Sequence, residues 1–201
     1  MKVYGNPGST CTRKVLTALA EHQVPYEFVT IDLAKGEQKQ PAHLAHQPFG
    51  QVPAIDDDGF ELYESRAIIR YIDQKAGGKL TPTDPKLRAT MEQWISVETS
   101  NFAPHAMKYV YHYVMKRTQD QATLDTAAER LRLALGVMEI QLGRTQYIAG
   151  DPFTLADIGF LPYFEYAMMT PAKEIFAEYP NVGAWWARVS ARPSWAKATG
   201  K

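Results

Sequence analysis

Four short segments of this chain carry residue types and spacings that could do chemistry. In Gly8-Ser9-Thr10-Cys11-Thr12-Arg13, hydroxyls stand where a strand-like run gives way to a helical one. Free N–H groups at a helix N-terminus favour an anion. A hydroxyl placed there can donate to a thiolate and lower the pKa of a bound thiol, because a hydrogen bond to the charged form stabilises that form. Ser9 or Thr10 equally suits a plain helix cap. Cys11 is a rival nucleophile, since helix N-termini depress cysteine pKa values; as a small apolar residue it also fits a core.

In Phe49-Gly50-Gln51-Val52-Pro53-Ala54 a proline stands at the mouth of a strand, where it cannot donate to the ladder. A cis bond before Pro53 would leave the Val52 N–H and C=O free to pair with a peptide; a simple strand-entry proline is the plainer alternative. In Glu64-Ser65-Arg66, Ser65 can offer its N–H and hydroxyl to a carboxylate at a helix start, and Glu64 can accept from an ammonium group. Together they match an α-amino-acid head group, although a cap followed by a solvated charge has the same pattern. Thr154-Leu155-Ala156-Asp157, between Phe153 and Ile158, has the form of a capping box with a hydrophobic staple, so Thr154 and Asp157 read as structural. Phe102, Met107, Tyr109, Tyr111, Tyr113 and Met115 recur at helical spacing. Most suit a bundle core, and a few could line a hydrophobic pocket. His105 and His112 lack a useful metal-ligand spacing, and no metal site is expected.

These segments need a scaffold, and the hydrophobic pattern supplies one. Lys2–Tyr4 reads as a strand closed by the turn cluster Gly5-Asn6-Pro7-Gly8. Val15, Leu16, Leu19 and Ala20 mark a helix, and Pro25–Ile31 alternates as a strand, which a right-handed crossover makes parallel to the first. Residues 34–48 read as a loop with a short irregular helix. Val52–Ile55 and Phe60–Tyr63 flank Asp56-Asp57-Asp58-Gly59 as a hairpin. Glu64-Ser65 then opens a helix with Ala67, Ile68, Tyr71 and Ile72 as its apolar face, ended at Gly77-Gly78. The order is β-α-β, an intervening helical segment, then β-β-α, which gives a mixed four-stranded sheet. Composition shifts after Gly78. Residues 79–85 read as a linker, and 86–201 as an all-helical domain with long helices near 86–117, 122–143, 154–169 and 181–191.

Composition narrows the function classes. The 201 residues hold 22 Lys and Arg against 22 Asp and Glu, so no basic patch points to nucleic acid. The single cysteine excludes an intrachain disulfide and a cysteine-based zinc site and fits a reducing, cytoplasmic compartment. Neither a leader segment nor a membrane span is expected.

Ser9–Arg13, Gly36-Glu37-Gln38-Lys39, Pro48–Ala54 and Leu62–Ile68, in this order and spacing, resemble the N-terminal domain of the cytosolic glutathione S-transferases, nearest to the phi class and its bacterial relatives. Thr154–Asp157, Trp185–Arg188 and Ala191-Arg192-Pro193 extend the resemblance over nearly the whole chain. It implies a thioredoxin-like glutathione-binding domain at 1–78 and a helical domain that supplies a hydrophobic substrate site from Phe102, Met107 and Tyr111. It implies Ser9 as the catalytic hydroxyl. Val52, before a cis Pro53, would pair with the cysteinyl part of glutathione, Glu64 and Ser65 would hold the γ-glutamyl head, and Gln38, Lys39 and Gln51 would lie by the glycyl end. Glutathione as co-substrate, an apolar electrophile as second substrate, a detoxification role and a homodimer follow from the same resemblance. Two residues depart from the phi pattern. Gln38 stands where His is common, so the position can donate but carries no charge, and Gln47 replaces Asn before Pro48. Beta-class members carry a cysteine in the first loop and favour thiol exchange, so Cys11 keeps that activity in view beside peroxide reduction and carriage of apolar ligands.

Overall fold

The computed structural model describes residues 1–201, which form two compact units: Met1–Lys79 with Arg192–Lys201, and Leu80–Ala191.

The first unit runs β1 (Lys2–Gly5), α1 (Thr10–His22), β2 (Glu27–Thr30), a 3-10 turn (Glu37–Lys39), α2 (Pro41–Leu44), β3 (Ala54–Asp57), β4 (Phe60–Tyr63) and α3 (Ser65–Lys75), and closes with α10 (Pro193–Thr199). The strand order is β2-β1-β3-β4. β1 lies parallel to β2 and antiparallel to β3, and β3 pairs antiparallel with β4. This is the mixed four-stranded sheet the hydrophobic pattern predicts. Val3, Val15, Leu19, Ile55, Ile68, Ile69 and Ile72 are fully buried around it. Each such side chain contributes roughly 1.5–3 kcal/mol.

β3 starts two residues later than the apolar pattern suggests, because Pro53 has no N–H for the ladder. Asp56 and Asp57 therefore belong to the strand, and the hairpin turns on Asp58 and Gly59 alone, both at positive φ (56° and 90°). The buried face of α3 also differs. It comprises Ser65, Ile68, Ile69, Ile72 and Asp73, while Ala67 is exposed. Tyr71 instead leans toward the hairpin, where its hydroxyl donates to Asp57 Oδ2 (2.5 Å) and its ring meets Phe60. The tail Arg192–Lys201, expected with the helical domain, packs on α1 through α10.

The second unit comprises α4 (Pro85–Val97), α5 (Ala103–Tyr109), α6 (Gln121–Leu142), α7 (Leu155–Met168), α8 (Lys173–Phe176) and α9 (Pro180–Ser190). The run expected as one helix over 86–117 is interrupted by π-helical turns at Glu98–Phe102 and Val110–Val114. Every residue from Leu155 to Phe164 is buried, so α7 is apolar on all sides and runs through the middle of this unit. Its start is the capping box read from the sequence. Asp157 is fully buried, accepts from Thr154 N–H (2.9 Å) and Ile148 N–H (3.0 Å), and receives the Trp185 indole N–H (2.8 Å). No helix is long and apolar enough to cross a membrane.

One polar clamp ties the chain's tail to α1. Arg192 Nε and Nη2 donate to the two Glu21 oxygens (2.7 and 2.9 Å), and the Ser194 hydroxyl donates to the same carboxylate. Burial alone would raise the Glu21 pKa, but the Arg192 and Ser194 hydrogen bonds and the Arg192 charge outweigh it and hold the carboxyl below its usual value. A lowered folded-state pKa gives stability that is present above the unfolded pKa of about 4.3 and is lost as pH falls through the folded value. Glu21→Gln should therefore lower unfolding stability by about 1–3 kcal/mol at neutral pH. The gap from wild type should narrow as pH falls below the unfolded value of about 4.3. Denaturant unfolding measured across pH checks this; a gap that stays constant into acid would rule out an ionic contribution.

Candidate active site

The ladder register brings three chain segments to one edge of the sheet. Tyr4, near the C-terminal end of β1, stands opposite Ala54, the first residue of β3, and Ala54 in turn stands opposite Tyr63, the last residue of β4. The residues just outside the ladder are therefore neighbours: the β1–α1 turn, Val52-Pro53, and Glu64-Ser65. β2 runs parallel to β1, so the chain leaving it toward Gln38 emerges at the same edge.

The β1–α1 turn is tightly braced. Asn6 Nδ2 donates to the Ile31 carbonyl (3.0 Å), Asn6 Oδ1 accepts from Gly8 N–H (2.9 Å), and the Ser9 N–H donates to the Asn6 carbonyl (2.9 Å). Gly5 is required there, since a Cβ would lie 2.6 Å from the Thr12 methyl. Ser9 is the N-cap of α1, and its Oγ accepts from Thr12 N–H (3.3 Å). The hydroxyl proton remains available to an outside acceptor, beside the free N–H groups of the first helical turn. Cys11 is half-buried and free.

Val52-Pro53 is the one cis peptide bond in the chain. The Val52 N–H and C=O make no hydrogen bond within the protein. Upstream, Lys39 Nζ donates to the Phe49 carbonyl (2.9 Å). Gly50 (φ +61°) sits so close to the 3-10 turn that a Cβ would be 2.9 Å from the Gln38 carbonyl. Gln38 and Lys39 are thus packed on the loop that carries Gln51.

Glu64 is the N-cap of α3 with φ 72° and ψ 107°, a conformation that side chains rarely adopt, and its carboxylate caps nothing. Ser65 follows, 3% exposed, with no hydrogen bond from its hydroxyl inside the chain. A strained carboxylate, a buried hydroxyl and a helix N-terminus can receive an ammonium and a carboxylate side by side. The edge as a whole therefore offers peptide-like pairing at Val52, a head-group site beside it and a hydroxyl donor at Ser9, which is what a short peptide carrying a thiol would need.

Residues 1–74 match the family profile "Glutathione S-transferase, N-terminal domain", and residues 102–193 match "Glutathione S-transferase, C-terminal domain". The chain belongs to the glutathione S-transferase family. It is 39% identical to glutathione S-transferase PARB of Nicotiana tabacum over 208 residues, covering 100% of this chain and 98% of the relative. It is 41% identical to a glutathione S-transferase of Silene vulgaris, over 98% of this chain and 95% of the other. Glutathione transferase F7 of Populus trichocarpa superposes with a TM-score of 0.93 at 40% identity, over 99% of this chain and 97% of that one. The relatives are plant phi-class enzymes.

Within this transferase the structure gathers Ser9, Gln38, Lys39, Gln51, Val52, Pro53, Glu64 and Ser65 in the first unit, all in segments that meet at the sheet edge. It does not keep Phe102 as a pocket residue. Phe102 is fully buried, stacked on Phe164 (5.0 Å) and edge-on to Phe160 and Phe176, so it is core of the second unit. Met107 and Tyr111 are half-exposed, one helical turn apart, and Arg117 lies over the Tyr111 ring (5.6 Å). Thr154 and Asp157 are structural. No group of three or more His, Cys, Asp or Glu is placed to hold a metal. Sequence reading missed Asn6, which braces the Ser9 turn, and His43, which holds the Gln51 carbonyl; Gln47, noted only as a departure from the phi pattern, holds the Gln51 N–H. Asn6 lies in a recognisable turn cluster, but nothing in the local pattern separates His43 or Gln47 from a surface residue.

The Glu64 backbone gives a direct test of strain at the site. A non-glycine residue held in such a region costs of order 1–3 kcal/mol. Glu64→Gly should therefore raise Tm, by about 2–4 °C per kcal/mol relieved. A fall in Tm would show that the Glu64 side chain stabilises the fold rather than serving the site.

Proposed function

We propose that this transferase joins the sulfur of glutathione to apolar electrophiles, with Ser9 as the catalytic hydroxyl. The observation that carries the reading is Ser9 at the α1 N-cap, its oxygen held by Thr12 N–H and its proton free, at the same sheet edge as the unpaired Val52 peptide groups and Glu64-Ser65. A maize glutathione S-transferase I solved with an atrazine glutathione conjugate, 34% identical with a TM-score of 0.91, supports conjugation as the chemistry.

In this reading the cysteinyl part of glutathione pairs with the Val52 N–H and C=O. The Glu64 carboxylate accepts from the α-ammonium, and Ser65 with the α3 N-terminus receives the α-carboxylate. Gln38, Lys39 and Gln51 meet the glycyl end. The Ser9 hydroxyl donates to the sulfur, so the thiol loses its proton to solvent more readily. The thiolate then attacks the electrophilic carbon, and the leaving group departs with the bond's electron pair. One charge-assisted hydrogen bond worth about 2 kcal/mol shifts the thiol equilibrium roughly thirtyfold. That gain, with positioning, suits electrophiles that are already reactive. We assign apolar contacts with the second substrate to Met107 and Tyr111.

We also propose a cytoplasmic homodimer. The compartment fits a single free thiol and a reduced co-substrate. The dimer is supported by unpartnered apolar groups: Phe49 is 64% exposed, and Leu133, Val137 and Ile140 form an exposed stripe on α6 (61%, 48% and 62%). The stripe borders a cleft of about 550 Å³ that Val97 and Ala134 also line. Sedimentation should give a dimer for wild type, and Leu133→Glu with Ile140→Glu should give a monomer; a wild-type monomer at micromolar concentration refutes the assignment.

The catalytic assignment is tested by initial rates of glutathione addition to chlorodinitrobenzene from about pH 5.5 to 8. Ser9→Ala should lose roughly ten- to a hundredfold near neutrality and recover partly as pH rises and more thiol ionises unaided. If Ser9→Ala matches wild type while Cys11→Ala loses activity, the nucleophile chemistry belongs to Cys11 and thiol exchange becomes the better reading.

A further inference from the structure

We infer that His43 and Gln47 are positioning residues for glutathione: they fix the Gln51 backbone so that the Val52 N–H is aimed at the peptide. The inference rests on the transferase reading of Val52 and goes beyond it, since both side chains are almost fully buried and engage only the Gln51 backbone.

His43 lies in α2 and is 3% exposed; Gln47 follows four residues later and is 2% exposed. The helical turn continues between them, with Gln47 N–H donating to the His43 carbonyl (2.9 Å), so both side chains leave the same face. Each engages Gln51 from a different side. His43 Nε2 is 2.6 Å from the Gln51 carbonyl oxygen, and Gln47 Oε1 accepts the Gln51 N–H (3.2 Å). A carbonyl only accepts, so His43 Nε2 carries a hydrogen and donates it to the Gln51 oxygen. Nδ1 is buried and has no partner.

The consequence for Val52 follows from peptide geometry. The Gln51–Val52 bond is trans. In a planar trans peptide the C=O and the following N–H point in opposite directions. Drawing the Gln51 oxygen inward to His43 therefore turns the Val52 N–H outward, away from α2. Without that tie the peptide plane could rotate, and the N–H would have to be ordered when glutathione binds. Gln47 closes the other rotation by holding the Gln51 N–H. Lys39, through the Phe49 carbonyl, fixes the loop one step earlier.

The test is calorimetric binding of glutathione and of S-methylglutathione to the whole protein. His43→Phe keeps a flat ring and loses the donor; it should weaken both ligands about tenfold, as loss of one hydrogen bond's worth of pre-ordering implies. The equal loss for the methylated ligand marks an effect on the peptide rather than on the sulfur. His43→Gln, whose amide can donate from the same place, should recover most of the affinity. In turnover, the loss should appear in KM for glutathione far more than in KM for chlorodinitrobenzene. Cooperatively folded His43→Phe that binds both ligands as wild type does would overturn the inference. If His43→Phe does not fold, Gln47→Leu decides: weaker binding of both ligands supports the positioning role, and unchanged binding overturns it. Wild type that binds neither ligand would instead remove the transferase reading, and this inference with it.

Discussion

The β3 ladder cannot extend back past Ala54, because Pro53 brings no N–H to it, and the chemistry of the first unit depends on where that ladder stops. Had pairing continued, the Val52 backbone would be spent inside the sheet. Instead its N–H and C=O are unused at the edge where β1 and β4 also end. An edge of this kind is a template for another strand. Here the neighbouring turns restrict what can use it. The Ser9 turn stands on one side and the Glu64-Ser65 helix start on the other, which leaves room for a short peptide rather than a long strand. The arrangement is therefore a by-product of register: once β1, β3 and β4 pair as they do, the Ser9 hydroxyl, the free Val52 peptide groups and the Glu64-Ser65 helix start are neighbours.

Polar ties brace the first unit at both ends of α1 and at the C-terminal end of α3. Asn6, Thr12 and Gly5 define the turn that carries Ser9. On α1 and α3, His22 and Asp73 meet at 2.7 Å, both almost wholly buried, and Arg192 ties the chain's tail to Glu21 on α1. The second unit is organised differently. α7 is buried on every side, and Asp157 gathers Thr154, Ile148 and Trp185 around its start. Burial disfavours the charged form of this carboxyl most, while the hydrogen bonds it accepts oppose that; the net direction is upward. Asp157 thus looks like a catalytic acid by its environment, yet its partners are the Thr154 cap, the Ile148 backbone and the Trp185 indole, all fixed parts of the fold, so a structural role accounts for it.

Legibility in the sequence followed the range of the interaction. Local rules were readable: the Ser9 cap, the Asp58-Gly59 turn and the Thr154–Asp157 box each depend on residues within a few positions, and each is present. The sheet topology was readable because alternating patterns and short connections leave few alternatives. Apolar alternation alone starts β3 at Val52, because it does not register the missing proline donor. Helical spacing puts Tyr71 on the apolar face of α3, but Asp57, fourteen residues earlier, draws its hydroxyl toward the hairpin. An aromatic at helical spacing does not reveal which partners it meets, so the sequence leaves Phe102 as a pocket candidate; Phe160, Phe164 and Phe176, which bury it, lie more than fifty residues away. His43 escaped notice for a related reason. Its role rests on a backbone carbonyl eight residues on, and no side-chain pattern records where a carbonyl points.

The central claim is that the sheet edge holds glutathione with its sulfur ionised by the Ser9 turn. The most direct measurement is the ultraviolet titration of the thiol in the wild-type protein–glutathione complex, followed through the thiolate absorbance. The expected result is a midpoint well below the free thiol value of about 8.5. A bound thiol that titrates at the same pH as glutathione in solution would contradict the claim, because binding would then have done nothing to the group that must attack.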